Sequence, residues 1–82
     1  MKTMEKILFK INQNPGITIS ELSFLLNLTK STLSMHLKKL ELNNFIKKYP
    51  FHNNLKIFKI HPTNQGKKLY LNKKLELLEK IK

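Results

Sequence analysis

The sequence predicts a mainly α-helical fold closed by one β-hairpin, in the order α-α-α-β-β-α with a long last helix, and three observations carry that expectation. Apolar residues recur at helical spacing in residues 3–13, 18–44 and 63–82. The period changes between 45 and 61, where β-forming residues gather on either side of a Pro-Phe-His-Asn-Asn turn. The boundaries carry residues that break or cap regular structure: Asn14-Pro15-Gly16, Asn27 and Pro62.

Each element has a local reason. The first helix, about 3–13, places Met4, Ile7, Leu8 and Ile11 on one face and is stopped by Asn14-Pro15-Gly16. Ile17 is expected to re-enter the core in extended form. Thr18 with Glu21 three residues later has the spacing of a capping box, in which each side chain satisfies the other's free backbone N–H. The second helix begins there, with Ile19, Leu22, Leu25 and Leu26 on one face. Asn27, which tolerates the left-handed conformation, is expected to end it. Thr29 caps a third helix with Leu33, Leu37 and Leu40 on one side and Ser31, Met35, Lys38 and Leu42 on the other. Strands over 45–49 and 55–60 enclose a turn over 50–54, giving a hairpin segment of 45–61. Thr63 caps the final helix, whose Tyr70, Leu71, Leu75, Leu77, Leu78 and Ile81 cover nearly half its circumference. No linker or repeat divides the chain, so residues 1–82 read as one domain.

Composition narrows the function classes. Among 82 residues there are 16 basic and 5 acidic side chains, a net charge of +11, and no cysteine. Every basic residue is lysine. A disulfide framework, a thiolate metal site and a cysteine nucleophile are excluded. His36, His52 and His61 share no ligand spacing, and the sequence holds no acid pair, glycine-rich phosphate loop or nucleophile elbow. The reading is therefore of a non-enzyme without metal or cofactor. No apolar run approaches a membrane span and no signal-peptide core follows the first lysines, so a soluble, cytoplasmic protein without a membrane partner is expected. The positive field favours a polyanion. It is uneven: residues 45–61 hold four lysines and no acid, whereas residues 18–44 hold three lysines and two glutamates.

The element order is that of a winged helix-turn-helix domain. The run ITISELSFLLNLTKSTLSMHLKKLELNNFIKK resembles the DNA-binding core of MarR-type and ArsR-type winged-helix transcriptional regulators, and HPTNQGKKL resembles the threonine-to-glycine motif that opens the helix after their wing. The resemblance covers residues 15–69. Ser23 stands where the motif wants a small residue, Asn27 where glycine is common, Leu28 where a plug fills the space beneath the turn, and Asn44 where a glycine precedes the wing. Met35 departs from an arginine frequent in the family, and the acid-basic pair near the wing tip is missing.

The resemblance implies a recognition helix over 30–43 that faces duplex DNA with Lys30, Ser31, Thr32, Ser34, Met35 and Lys38. His36 lies between its core and outer faces and is expected to pack or to meet a phosphate. The wing, with Lys47, Lys48, His52, Asn53, Asn54, Lys56 and Lys59, is expected on the DNA backbone or in the minor groove. The apolar arc of the last helix is wider than one small domain needs, which points to a homodimer through Tyr70, Leu71, Leu75, Leu78 and Ile81. So short a chain leaves little room for an effector pocket, and none is expected. The expected function is a sequence-specific, dimeric, double-stranded DNA-binding regulator of transcription. A winged-helix module for protein contact and a non-specific basic nucleic-acid-binding protein are the alternatives.

Overall fold

The computed structural model describes residues 2–51 and 54–81, and side chains over 2–51 and 57–80. Helices α1 (Thr3–Gln13), α2 (Ile19–Leu26) and α3 (Lys30–Leu42) precede strands β1 (Ile46–Phe51) and β2 (Asn54–Pro62), and α4 (Asn64–Ile81) ends the chain. This is the mainly helical, winged helix-turn-helix order the sequence predicts, with a long last helix.

The ends of the helices are set by short-range chemistry. At the start of α2 the capping box is complete: the Thr18 hydroxyl accepts from the Glu21 backbone N–H at 3.2 Å and the Glu21 carboxylate accepts from the Thr18 N–H at 3.1 Å. Asn27 closes α2 in the left-handed conformation (φ 53°). Ser23 donates its hydroxyl to the Leu28 carbonyl at 2.6 Å, and the Leu28 N–H returns to the Ser23 carbonyl at 3.2 Å, which stitches the turn to the helix before it. Thr29 caps α3 by accepting from the Thr32 N–H at 3.2 Å.

Among the described residues, ten apolar side chains, contributed by α1, the segment after it, α2, α3 and both strands, form the core: Ile7, Leu8, Ile11, Ile17, Leu22, Leu33, Leu37, Leu40, Ile46 and Ile60. Met4, Ile19, Leu26, Leu28, Phe45 and Leu69 pack around it. No polar side chain is buried among the described residues. Leu25 differs from the expectation: it is half-exposed. It stands about 80° around the helix from the midline between Leu22 and Leu26, beyond the reach of the core on an eight-residue helix.

The hairpin is antiparallel, with Ile46 opposite Pro62, Lys48 opposite Ile60 and Tyr49 opposite Lys59. It runs further than the sequence suggests. Pro50 and Phe51, expected in the turn, lie in β1, and the register shifts between them. A proline without an N–H fits beside such an irregularity. Ile17 re-enters the core as expected and bridges Ile60 on the other edge of β2 through two 2.8 Å backbone bonds, Gly16 N–H to the Ile60 carbonyl and Ile60 N–H to the Ile17 carbonyl. Gly16 makes the preceding turn with φ 88°.

The junction of hairpin and last helix is tighter still. Asn44 takes a left-handed φ of 61°, and its carbonyl accepts the Thr63 hydroxyl at 2.6 Å. The same hydroxyl accepts from the Gly66 N–H at 3.1 Å and so caps α4. The Thr63 N–H donates to the Phe45 carbonyl at 3.0 Å. A Cβ on Gly66 would fall 2.1 Å from that carbonyl oxygen, so the first turn of α4 lies on the backbone of Phe45 and only glycine fits there.

Candidate nucleic-acid interface

Helix α3 buries Leu33, Leu37 and Leu40 and turns its opposite side outward. Ser31, Met35, Lys38 and Leu42, at i, i+4, i+7 and i+11, form the outermost stripe and all are exposed. Met35 is 52% and Leu42 81% exposed. Lys30 and Ser34 are also exposed but lie toward the hairpin. Thr32 is half-buried, and its hydroxyl accepts from the Thr29 hydroxyl at 2.9 Å, so this side chain is engaged in the cap rather than projecting freely. His36 is half-buried with its Nδ1 buried and unpaired, which turns that nitrogen away from the outward face.

The hairpin has two faces. Ile46, Lys48 and Ile60 turn toward the helices, where Lys48 reaches Glu41 of α3 at 3.6 Å. Lys47, Tyr49, Lys59 and His61 turn the other way. There the Tyr49 and His61 rings meet edge to face at 5.5 Å, and the Lys59 ammonium lies 5.0 Å from the Phe51 ring centre. Of the wing residues expected to meet DNA, Lys47 is exposed and Lys48 is drawn into the pair with Glu41. His52 and Asn53 lie outside the described residues, as do the side chains of Asn54 and Lys56.

Two clefts flank these elements. One, of about 570 Å³, separates α3 from the inner face of the hairpin; Lys30, Ser34 and Lys48 line it over an apolar floor that includes Leu37, Phe58 and Ile60. The other, of about 700 Å³, lies at the base of the hairpin between Lys47, Tyr49 and the start of α4, with Lys68 on its rim. Lys30, Lys38 and Lys39 form no ion pair among the described residues. The outward surface of α3 is therefore cationic and hydroxyl-bearing, with an apolar spot at Met35. Among the described residues no group of three His, Asp or Glu could hold a metal, and no helix is long and apolar enough to cross a membrane.

On α4, Leu69 packs against the core and Tyr70 is half-buried, its ring edge-on to Phe9 of α1 at 4.9 Å. Leu71, Leu75 and Leu78 are each more than half exposed and stand at i, i+4 and i+7. The Ile81 side chain lies outside the described ones. Phe24, at 86% exposure on α2, is a further exposed apolar group that helical periodicity did not single out.

A three-helix core whose second and third helices meet at a tight turn, followed by a two-stranded wing and a long helix, defines a winged helix-turn-helix protein. The MarR family model matches residues 3–58, more than half of the sequence, and the chain belongs to the MarR family. No curated protein matches the sequence. Among solved structures, the transcriptional regulator SlyA is 26% identical with a TM-score of 0.88, over 96% of this chain and 56% of that one. A putative MarR family regulator from Listeria monocytogenes, complexed with a 26mer DNA, is 34% identical with a TM-score of 0.79, over 83% of this chain and 45% of that one. FabT of Streptococcus pneumoniae in complex with DNA is 25% identical with a TM-score of 0.84, over 95% of this chain and 57% of that one. The chain thus spans about half the length of these relatives.

Proposed function

We propose that the protein is a transcriptional regulator that binds duplex DNA as a homodimer, with α3 in the major groove and the hairpin along the backbone or in the minor groove. The observation that carries this reading is the outward face of α3: Lys30, Ser31, Ser34, Met35 and Lys38 are exposed and lie together on a helix held rigid by its buried opposite side. Thr32 serves the cap with Thr29 at the helix start. Two of the relatives were solved on DNA, which supports the same partner here. Lys47 and Lys59, together with the wing residues Lys56, His52, Asn53 and Asn54, supply phosphate contacts that set position and orientation without reading sequence, while Lys48 is held by Glu41.

The dimer uses the apolar stripe Leu71, Leu75 and Leu78, extended by Ile81 and bordered by Tyr70. Three leucines exposed on one side of an 18-residue helix are covered when a second copy packs against them. Two copies then present two recognition helices to successive major grooves.

Selection of bound fragments from random duplex DNA, read by sequencing, tests the proposal, and an enriched palindrome is the expected result. Affinity should fall steeply with salt, with a log-log slope of about −0.9 per phosphate neutralised. Binding that is insensitive to salt, or a selection without enrichment, would refute it.

A further inference from the structure

We infer that Met35 sets the sequence preference of α3 and that the group it recognises is the 5-methyl of thymine. The inference rests on the DNA-binding role proposed above and names what that surface reads.

All 16 basic residues of the sequence are lysines, so no planar guanidinium fork exists to hold a guanine edge in two fixed bonds. Lys38 and Lys30 bring ammonium groups, strongly hydrated point charges that meet phosphates and base acceptors alike. Ser31 and Ser34 bring hydroxyls, which donate or accept and discriminate poorly among bases. Thr32 is tied to Thr29 in the cap. Met35 is the remaining outward group in the first two turns and the one whose chemistry matches a single base substituent. Thymine alone of the four bases carries a methyl group in the major groove.

The placement fits. Met35 is 52% exposed while Leu33 and Leu37, two residues to either side, are buried, so it points away from the core rather than into it. Ser31 lies one turn before it and Lys38 one turn after. Whatever covers Met35 must also satisfy a hydroxyl and an ammonium within a few ångströms. An apolar protein groove would strip water from Lys38 without repayment. The floor of a major groove offers methyl groups between base acceptors, with phosphates at its edges, and meets all three side chains. Glu41, the first carboxylate along α3, is ten residues, or nearly three turns, beyond Ser31 at the start of this stripe and is paired with Lys48, so it does not repel the phosphates near Met35.

The test uses the full chain and the duplex most enriched from a random-sequence library. That duplex is made in two forms, with thymine or with deoxyuridine, which differ in the 5-methyl group alone. Wild type should bind the uracil form less tightly by about fourfold for each methyl covered, or about fifteenfold where each half-site of a dimer covers one. Met35→Gln should bind both forms alike, and Met35→Leu, which keeps an apolar tip, should retain the preference. Position 35 is exposed, so both variants should keep the thermal unfolding midpoint of wild type within a few degrees. Equal binding of the two forms by wild type overturns the inference, as does a preference undiminished in Met35→Gln. Failure of wild type to bind any library duplex at low salt is a different result: it refutes the DNA-binding role itself.

Discussion

Replacing Gly66 by alanine should destabilise the protein severely, against the usual effect of that change in a helix. Glycine in a helix interior costs about 1 kcal/mol relative to alanine, so propensity alone predicts that Gly66→Ala stabilises. The structure reverses the sign. The new Cβ would lie 2.1 Å from the Phe45 carbonyl oxygen and 3.1 Å from its carbon. The first of these is about 1.5 Å inside ordinary van der Waals separation. The obstacle is backbone, and it is pinned on both sides: the Phe45 carbonyl accepts from the Thr63 N–H at 3.0 Å and the Phe45 N–H donates to the Leu40 carbonyl at 2.9 Å. Relief requires α4 to swing off the hairpin, with loss of the Thr63 cap and its 2.6 Å bond to the Asn44 carbonyl. Overpacking against side chains costs about 1–3 kcal/mol, and rigid backbone places this case at the upper end. After the gain in propensity a net loss of about 2 kcal/mol remains. For a chain of this size that lowers the unfolding midpoint by roughly 8–16 °C. Thermal unfolding followed by far-ultraviolet circular dichroism, at one fixed protein concentration, measures it. A midpoint equal to or above that of wild type would show that the approach of α4 to the Phe45 carbonyl does not require glycine at position 66.

Thr18→Ala removes one arm of the capping box and should cost about 1 kcal/mol in urea unfolding, whereas Ser20→Ala, exposed within the same helix, should cost less than half of that. The pair Leu75→Glu and Leu78→Glu should shift the sedimentation profile from dimer to monomer; a dimer that survives both changes would remove α4 from the interface. Lys38→Ala should weaken an enriched site more than random DNA, and Lys56→Ala should weaken both alike, as titrations against the two duplexes would show. Equal losses from both variants would contradict that division of roles.

What could be read from the sequence is what short-range chemistry decides. Thr18 with Glu21 and the left-handed Asn27 act within a few residues, whereas Asn44, also left-handed, is placed by resemblance to a family glycine. The buried side of α3 was legible for a similar reason, because Leu33, Leu37 and Leu40 repeat at the helical period. Other features join distant residues and leave no local trace. The Gly66 contact spans 21 residues to Phe45, and the motif around Thr63 was read by resemblance rather than from any packing requirement. Pro50 hid the far end of β1, since an alternating pattern cannot be followed through a proline and a register shift. Leu25 departs from its periodic position because a short helix has too few apolar positions to locate the centre of its buried stripe. On the interface, exposure of Ser31, Met35 and Lys38 followed from periodicity, but the engagement of Thr32 in its cap and of Lys48 with Glu41 depends on which way each side chain turns.

The Lys48–Glu41 pair changes how the charge of the wing should be understood. Four lysines without an acid point to a hairpin that favours an anionic partner, yet one of those cations is paired with a glutamate of α3. A partly exposed pair of this kind is worth at most about 1 kcal/mol, so its larger consequence is geometric. Ile46 and Ile60 are buried against the helices on the same face of the hairpin, and the Asn44–Thr63–Gly66 junction fixes its base. Hairpin and α3 are therefore registered by apolar packing, backbone hydrogen bonds and one ion pair. In the proposed complex, phosphate contacts from the outer face of the wing would then constrain the angle at which α3 enters its groove. Loosening that register should reduce discrimination between sites even where the contacting side chains remain in place.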